Sequence, residues 1–175
     1  MEFSVLMTVY EKEKPYNLRQ SLLTSYQQTI KPTEIILVCD GELTPGLYEE
    51  IERLKSEIPI LKVYQLDTNV GSGPASRFGV GKCNTGLIAR MDSDDYSENT
   101  RFEKQIKAFE ENPNLIMVGT NILEKNIEFT ALKTVPEITE EIREYSKFRN
   151  PFNNPSSMMK KEYILKVGNY RKFRY

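Results

Sequence analysis

No histidine occurs anywhere in the 175 residues. The side chain that most often serves as a general base near neutral pH is therefore missing. Cysteine is scarce as well. Cys39 and Cys83 lie in apolar surroundings without metal-type spacing, and two thiols make no disulfide framework, so a reducing, cytoplasmic setting is expected. Long hydrophobic runs are absent: none approaches the roughly 20 apolar residues that span a bilayer, and no basic leader with an apolar segment precedes the first β-rich run. Export and membrane spanning are not expected, while peripheral attachment at the inner face of the cytoplasmic membrane is compatible with the sequence. Neither sign of charge dominates. The 24 basic and 25 acidic side chains nearly cancel, so no global field draws the protein to nucleic acid. Internal repeats and low-complexity segments are lacking, and nothing specifies an oligomeric state. The length suits one domain over 1–175 with a real core.

What the sequence does contain is alternation. FSVLMTVY (3–10), EIILVCDG (34–41), LKVYQL (61–66), LIARMD (87–92) and LIMVGTNI (115–122) are short, nearly continuous apolar runs, as expected of strands covered on both faces. Between them Leu18, Leu22 and Tyr26 recur at helical spacing, Leu47, Ile51 and Lys55 do so less cleanly, and Phe102, Ile106 and Phe109 form a clear stripe. The pattern predicts an α/β fold with right-handed crossovers and a mostly parallel, doubly wound sheet with helices on both faces. NPFNNPS (150–156) reads as a loop.

Ligands of such sheets bind beyond the carboxyl ends of the strands. Thr8 and Tyr10 end the first strand, Asp40 and Gly41 the second, Asn69 and Gly71 follow the third, and Asp92, Ser93, Asp94 and Asp95 end the fourth. All should open on one edge. Three carboxylates in four positions repel one another, and a divalent cation offsets that repulsion. Hard oxygen ligands favour Mg2+ or Mn2+, which take one or two carboxylates and leave other positions for water and substrate phosphates. Two other readings compete. Asp95 or Ser97 would cap a helix beginning near Glu98. Asp92, Asp94 and Glu103 match EF-hand loop positions one, three and twelve, but Tyr96 and Ser97 stand where an oxygen ligand and a glycine are needed, which excludes that site.

The blocks SVLMTVYE, EIILVCDGELT, TNVGSGPASRFGVG, IARMDSDDYS, RFEKQIKAFEENPNLIMVG and NPFNNPSSMMKKEYILKVGNYRKF, in this order over essentially the whole chain, resemble the inverting family 2 nucleotide-sugar glycosyltransferases of the GT-A type. The resemblance implies a GT-A (Rossmann-like) fold, C-terminally truncated. It also implies transfer from a UDP-like donor to a saccharide or lipid-linked acceptor, in capsule, exopolysaccharide or lipopolysaccharide synthesis. Position by position, Thr8 and Tyr10 resemble residues that touch base and ribose. Asp40 resembles the acceptor of the uracil N–H. Asn69 and Arg77 are counted with the donor-binding set, Asp92 resembles the acid nearer the ribose, and Asp94 the ligand of the metal.

Three positions depart from the family pattern. Arg77 stands one place later than the usual arginine, Glu42 replaces a small hydroxyl residue, and Asn154 replaces a histidine. In addition, the acidic block that supplies the family's general base would lie beyond Tyr175, so this chain is expected to be the donor-binding part without a catalytic base of its own. A nucleotidyltransferase or non-catalytic nucleotide-binding module is the alternative on such a sheet. Glu11, Lys12, Glu13 and Lys14 lack the glycines that a nucleotidyltransferase carries after its first strand.

Overall fold

The computed structural model describes residues 1–125 and 128–172. Its first two thirds follow the expected alternation: β1 (Phe3–Val9), α1 (Pro15–Tyr26), β2 (Glu34–Cys39), α2 (Pro45–Glu57), β3 (Leu61–Gln65), α3 (Ser72–Lys82), β4 (Leu87–Asp92) and α4 (Arg101–Glu111). Then come β5 (Met117–Val118), β6 (Ile122–Lys125), β7 (Thr130–Lys133), α5 (Thr139–Ser146), a 3-10 turn over Asn154–Ser156, β8 (Met158–Lys160) and α6 (Lys161–Lys166). The main sheet has the order β3-β2-β1-β4-β8-β5. Its first four strands are parallel, so their carboxyl ends share one edge, and β8 runs antiparallel to both neighbours.

Strand alternation divides the core in two. Val5, Met7, Ile35, Leu37, Ala89 and Met91 pack beneath Leu18, Leu22, Leu47, Ile51, Phe102 and Ile106 of α1, α2 and α4. Leu6, Ile36, Val38 and Ile88 pack beneath Ala75, Val80 and Cys83 at α3, and Ile164 of α6. Each buried leucine-sized side chain contributes about 1.5–3 kcal/mol, and Phe3 meets Phe102 edge to face at 4.9 Å. Helix starts follow local chemistry: Pro15 and Pro45 sit in first turns, and Thr44 accepts the Leu47 amide. Among the described residues no helix is long and apolar enough to cross a membrane.

Two expectations need correction, and one strand is unexpected. The run 115–122 is not one strand: Met117 and Val118 pair with β8, whereas Ile122 starts the separate β6–β7 hairpin. The break has a cause in Thr120, whose amide donates to Ser156 Oγ while its carbonyl accepts from Asn153 and Ser156, so side chains take the groups a neighbouring strand would use. Met158–Lys160, too short to show a period, is inserted between β4 and β5. Finally, α4 begins at Arg101, and neither Asp95 nor Ser97 caps it; the amide of Ser97 donates to Thr24 Oγ1 and its hydroxyl is buried without a partner among the described residues.

Candidate active site

The shared edge of the parallel strands opens into a cavity of about 890 Å3 on the α3 side. Parallel register sets Thr8 of β1 beside Asp92 of β4, and both line it, with Tyr10 and Asp94. Asp92 is 39% exposed at its side chain, and its Oδ1 accepts from Arg90 Nη2 at 3.3 Å. Burial raises its pKa, the Arg90 charge opposes that, and Asp94 reinforces it. The Asp92 carbonyl accepts from Ser21 Oγ at 2.6 Å, which anchors the start of the acidic turn to α1. Asp94 is exposed and has no hydrogen-bond or ion-pair partner among the described residues. Asp95 is pushed up to about 6 by burial and then by Asp92 and Asp94. Beneath them the buried Arg101 donates to the Arg90 carbonyl at 2.8 Å, and burial lowers its pKa to about 10.

Three residues counted with the donor-binding set do not reach this cavity. Asp40 is 4% exposed, and its two oxygens accept the amides of Val70 at 2.7 Å and Gly71 at 3.0 Å. A carboxylate so committed fixes the loop that walls the cavity. Gly41, at φ 85°, lets this happen: a Cβ there would sit 2.6 Å from the Asn69 amide nitrogen. Asn69 itself turns its Oδ1 back to the Gly71 amide at 3.2 Å. Arg77 is exposed and donates to the Gly168 carbonyl at 2.9 Å, so it holds the C-terminal segment against α3. Gly73 serves the same approach, since a Cβ there would collide with the Arg171 carbonyl.

Other lining residues escape a reading of the sequence. Glu13 and Arg90 face the cavity, as do Lys12, Lys14, Arg171 and Lys172, whose positive charges suit an anionic ligand. A charged residue inside the otherwise apolar run LIARM (87–91) is the available signal for Arg90. Asn150 and Asn154 bring the NPFNNPS loop to the same cavity.

Among the described residues no three His, Cys, Asp or Glu side chains converge as a ready metal-ligand set. Mg2+ and Mn2+ do not require one when substrate phosphates complete the coordination. Asp94, without a partner among the described residues, and Asp92, with Oδ2 left over, fit a metal shared with a diphosphate and do not make a closed protein site.

Comparison with known proteins agrees with this architecture. The family model for glycosyl transferase family 2 matches residues 4–165. The chain is 34% identical over 174 residues to the amylovoran biosynthesis glycosyltransferase AmsE of Erwinia amylovora, covering 99% of this chain and 65% of that protein. It is 35% identical over 174 residues to the UDP-Gal:alpha-D-GlcNAc-diphosphoundecaprenol beta-1,3-galactosyltransferase of Escherichia coli, covering 97% and 62%. The chain thus spans slightly under two thirds of the length of these curated relatives. S. aureus TarS 1-349 superposes with a TM-score of 0.77 at 20% identity, over 98% of this chain and 50% of that one. The Pyrobaculum calidifontis mannosyltransferase PcManGT, solved with GDP-Man and Mn2+, gives 0.71 at 14% identity, over 97% and 47%. These likenesses show the GT-A fold, with its mostly parallel sheet between helices. With the family match spanning nearly the whole chain, this protein belongs to glycosyl transferase family 2.

Proposed function

We propose that the cavity binds a UDP-like nucleotide sugar together with Mg2+ or Mn2+, and that the sugar passes, with inversion, to a saccharide or lipid-linked acceptor in bacterial surface polysaccharide synthesis. The observation that carries this reading is the meeting, on one strand edge, of Asp92 and Asp94 with several lysines and arginines around a cavity large enough for a nucleotide sugar. Thr8 and Tyr10 then face base and ribose, Asp92 lies toward the ribose, and Asp94 anchors the metal. A bound metal supplies Lewis-acid stabilisation of the charge that grows on the departing nucleotide. Lys12, Lys14 and Arg171 lower the cost of bringing a diphosphate to two carboxylates. Asp40, Asn69 and Arg77 act through the walls of the site: the first two shape the 69–71 loop, and the third holds the C-terminal segment.

The relatives named for amylovoran biosynthesis and for a diphosphoundecaprenol-linked acceptor support the polysaccharide setting. A lipid-linked acceptor would place the protein on the cytoplasmic face of the membrane by peripheral association. Glu13 is engaged by three donors, and Asp92 and Asp94 are assigned to donor and metal. On the family resemblance, the acceptor's general base belongs to an acidic block expected after Tyr175, and this chain is read as the donor-binding part. The fold itself accommodates different bases, since TarS was solved with UDP-GlcNAc and PcManGT with GDP-Man.

The test is calorimetry of UDP, GDP and dTDP sugars with and without Mn2+, followed by transfer assays on the same samples. The expected result is preferred, metal-strengthened binding of UDP sugars, abolished in its metal dependence by Asp94→Ala, with sugar transfer no faster than a metal-plus-nucleotide background. Metal-independent binding would sink the metal assignment, and full transfer by the 175 residues would sink the assignment of the base.

A further inference from the structure

Arg90 is 2% exposed and is the largest of the fully buried side chains. It shares a face of β4 with Ile88 and Asp92, at a position where an apolar residue would pack without desolvating a charge. Its guanidinium is held at two points: Nη1 donates to the Leu6 carbonyl of β1 at 3.1 Å, and Nη2 donates to Asp92 Oδ1 at 3.3 Å. The Tyr170 ring covers it at 5.8 Å, and Nε is buried without a hydrogen-bond partner among the described residues. Asp92 is the only carboxylate with which it forms an ion pair among the described residues.

We propose that Arg90 is a positioning residue for Asp92, fixing the carboxylate by its Oδ1 so that Oδ2 is reserved for the ligand of the cavity. The inference rests on the metal and nucleotide reading given above. The Leu6 carbonyl ties the guanidinium to the neighbouring strand, so the orientation it imposes is set by the sheet and not by side-chain freedom. Ser21 fixes the backbone of the same aspartate from α1. Asp92 is thereby held at both its carbonyl and its carboxylate, whereas Asp94, two residues on, is held at neither among the described residues. The two acids divide the work accordingly: Asp94 is free to follow the metal, and Asp92 presents one oxygen in one orientation. A lysine would keep the charge but cannot bridge Leu6 and Asp92 with a planar fork.

Calorimetry of UDP binding with and without Mn2+ on the unsubstituted chain, R90Q, R90K, D92N and R90Q/D92N tests this, with thermal denaturation as the check on folding. Partners that orient a metal ligand typically matter about ten- to a hundredfold for metal affinity. The metal-dependent gain should fall by about that factor in R90Q and in R90K, more than the metal-free affinity does, and R90Q should add nothing further once Asp92 is Asn. No gain in the unsubstituted chain sinks the metal reading and this inference with it. A gain that survives R90Q, or an equal loss with and without Mn2+, overturns this inference alone and makes Arg90 a bystander or a direct ligand contact. If R90Q does not fold, R90K decides between these outcomes, and unfolding of both assigns Arg90 to the core and overturns the proposal.

Discussion

Ser93 donates its hydroxyl proton to Glu13 Oε2 at 2.8 Å, joining the loop after β1 to the acidic turn after β4 across 80 residues of sequence. The other carboxylate oxygen, Oε1, accepts the Lys14 amide at 2.7 Å and Asn17 Nδ2 at 3.0 Å. Ser93 stands between Asp92 and Asp94, so the placement of both acids depends on a glutamate that opens the first crossover.

Glu13→Ala removes that brace and leaves the buried Ser93 hydroxyl without its acceptor. The expected effect is a loss of about 1–3 kcal/mol in UDP-sugar binding, the scale of a broken charge-assisted hydrogen bond. Calorimetry checks it, and an unchanged dissociation constant would show that the acidic turn holds itself.

Asp40→Ala leaves the Val70 amide without its acceptor and the Gly71 amide with only Asn69 Oδ1 at 3.2 Å. Stability should fall by about 1–3 kcal/mol in urea denaturation, and donor binding should weaken because the cavity wall loosens. Weakened binding with stability intact would instead mean that Asp40 touches the ligand directly.

Glu34 lies at the amino end of β2, away from the cavity. Burial alone would raise its pKa, but the Asn84 amide, Lys62 and Ser4, with the Asn84 side chain, outweigh it and hold the carboxyl down to about 2. A folded-state value below the unfolded one means that the carboxylate stabilises the fold above the ordinary glutamate range. That contribution is lost as pH falls from about 4.5 toward 2. Glu34→Gln should cost up to about 3 kcal/mol at pH 7, and the difference from the unsubstituted chain should shrink at pH 3. Urea denaturation at the two pH values measures this, and a difference independent of pH would assign the effect to packing.

The paired acids are legible because Asp92 and Asp94 follow an apolar run that can only be a buried strand, and strand ends on one edge define where ligands meet the sheet. Arg90 is in plain view within the same run, and Asp92 two positions on shares its strand face, yet sequence does not reveal its other contacts, Leu6 and Tyr170, 84 and 80 positions away. Asp40 is ambiguous for a related reason. A carboxylate before a glycine at a strand end looks equally ready for a ligand or for backbone amides, and the amides that claim it lie 30 and 31 residues on.

The sequence by itself determined the parallel half of the sheet, its helices and the edge on which the acids gather, because burial on two faces imposes local periods that side chains must obey. Tertiary structure decided which strand-end residues face the cavity, where β8 inserts, and how the run after α4 divides. Those outcomes depend on hydrogen bonds between distant segments, as at Thr120 with Asn153 and Ser156, and no local pattern encodes which distant donor will arrive.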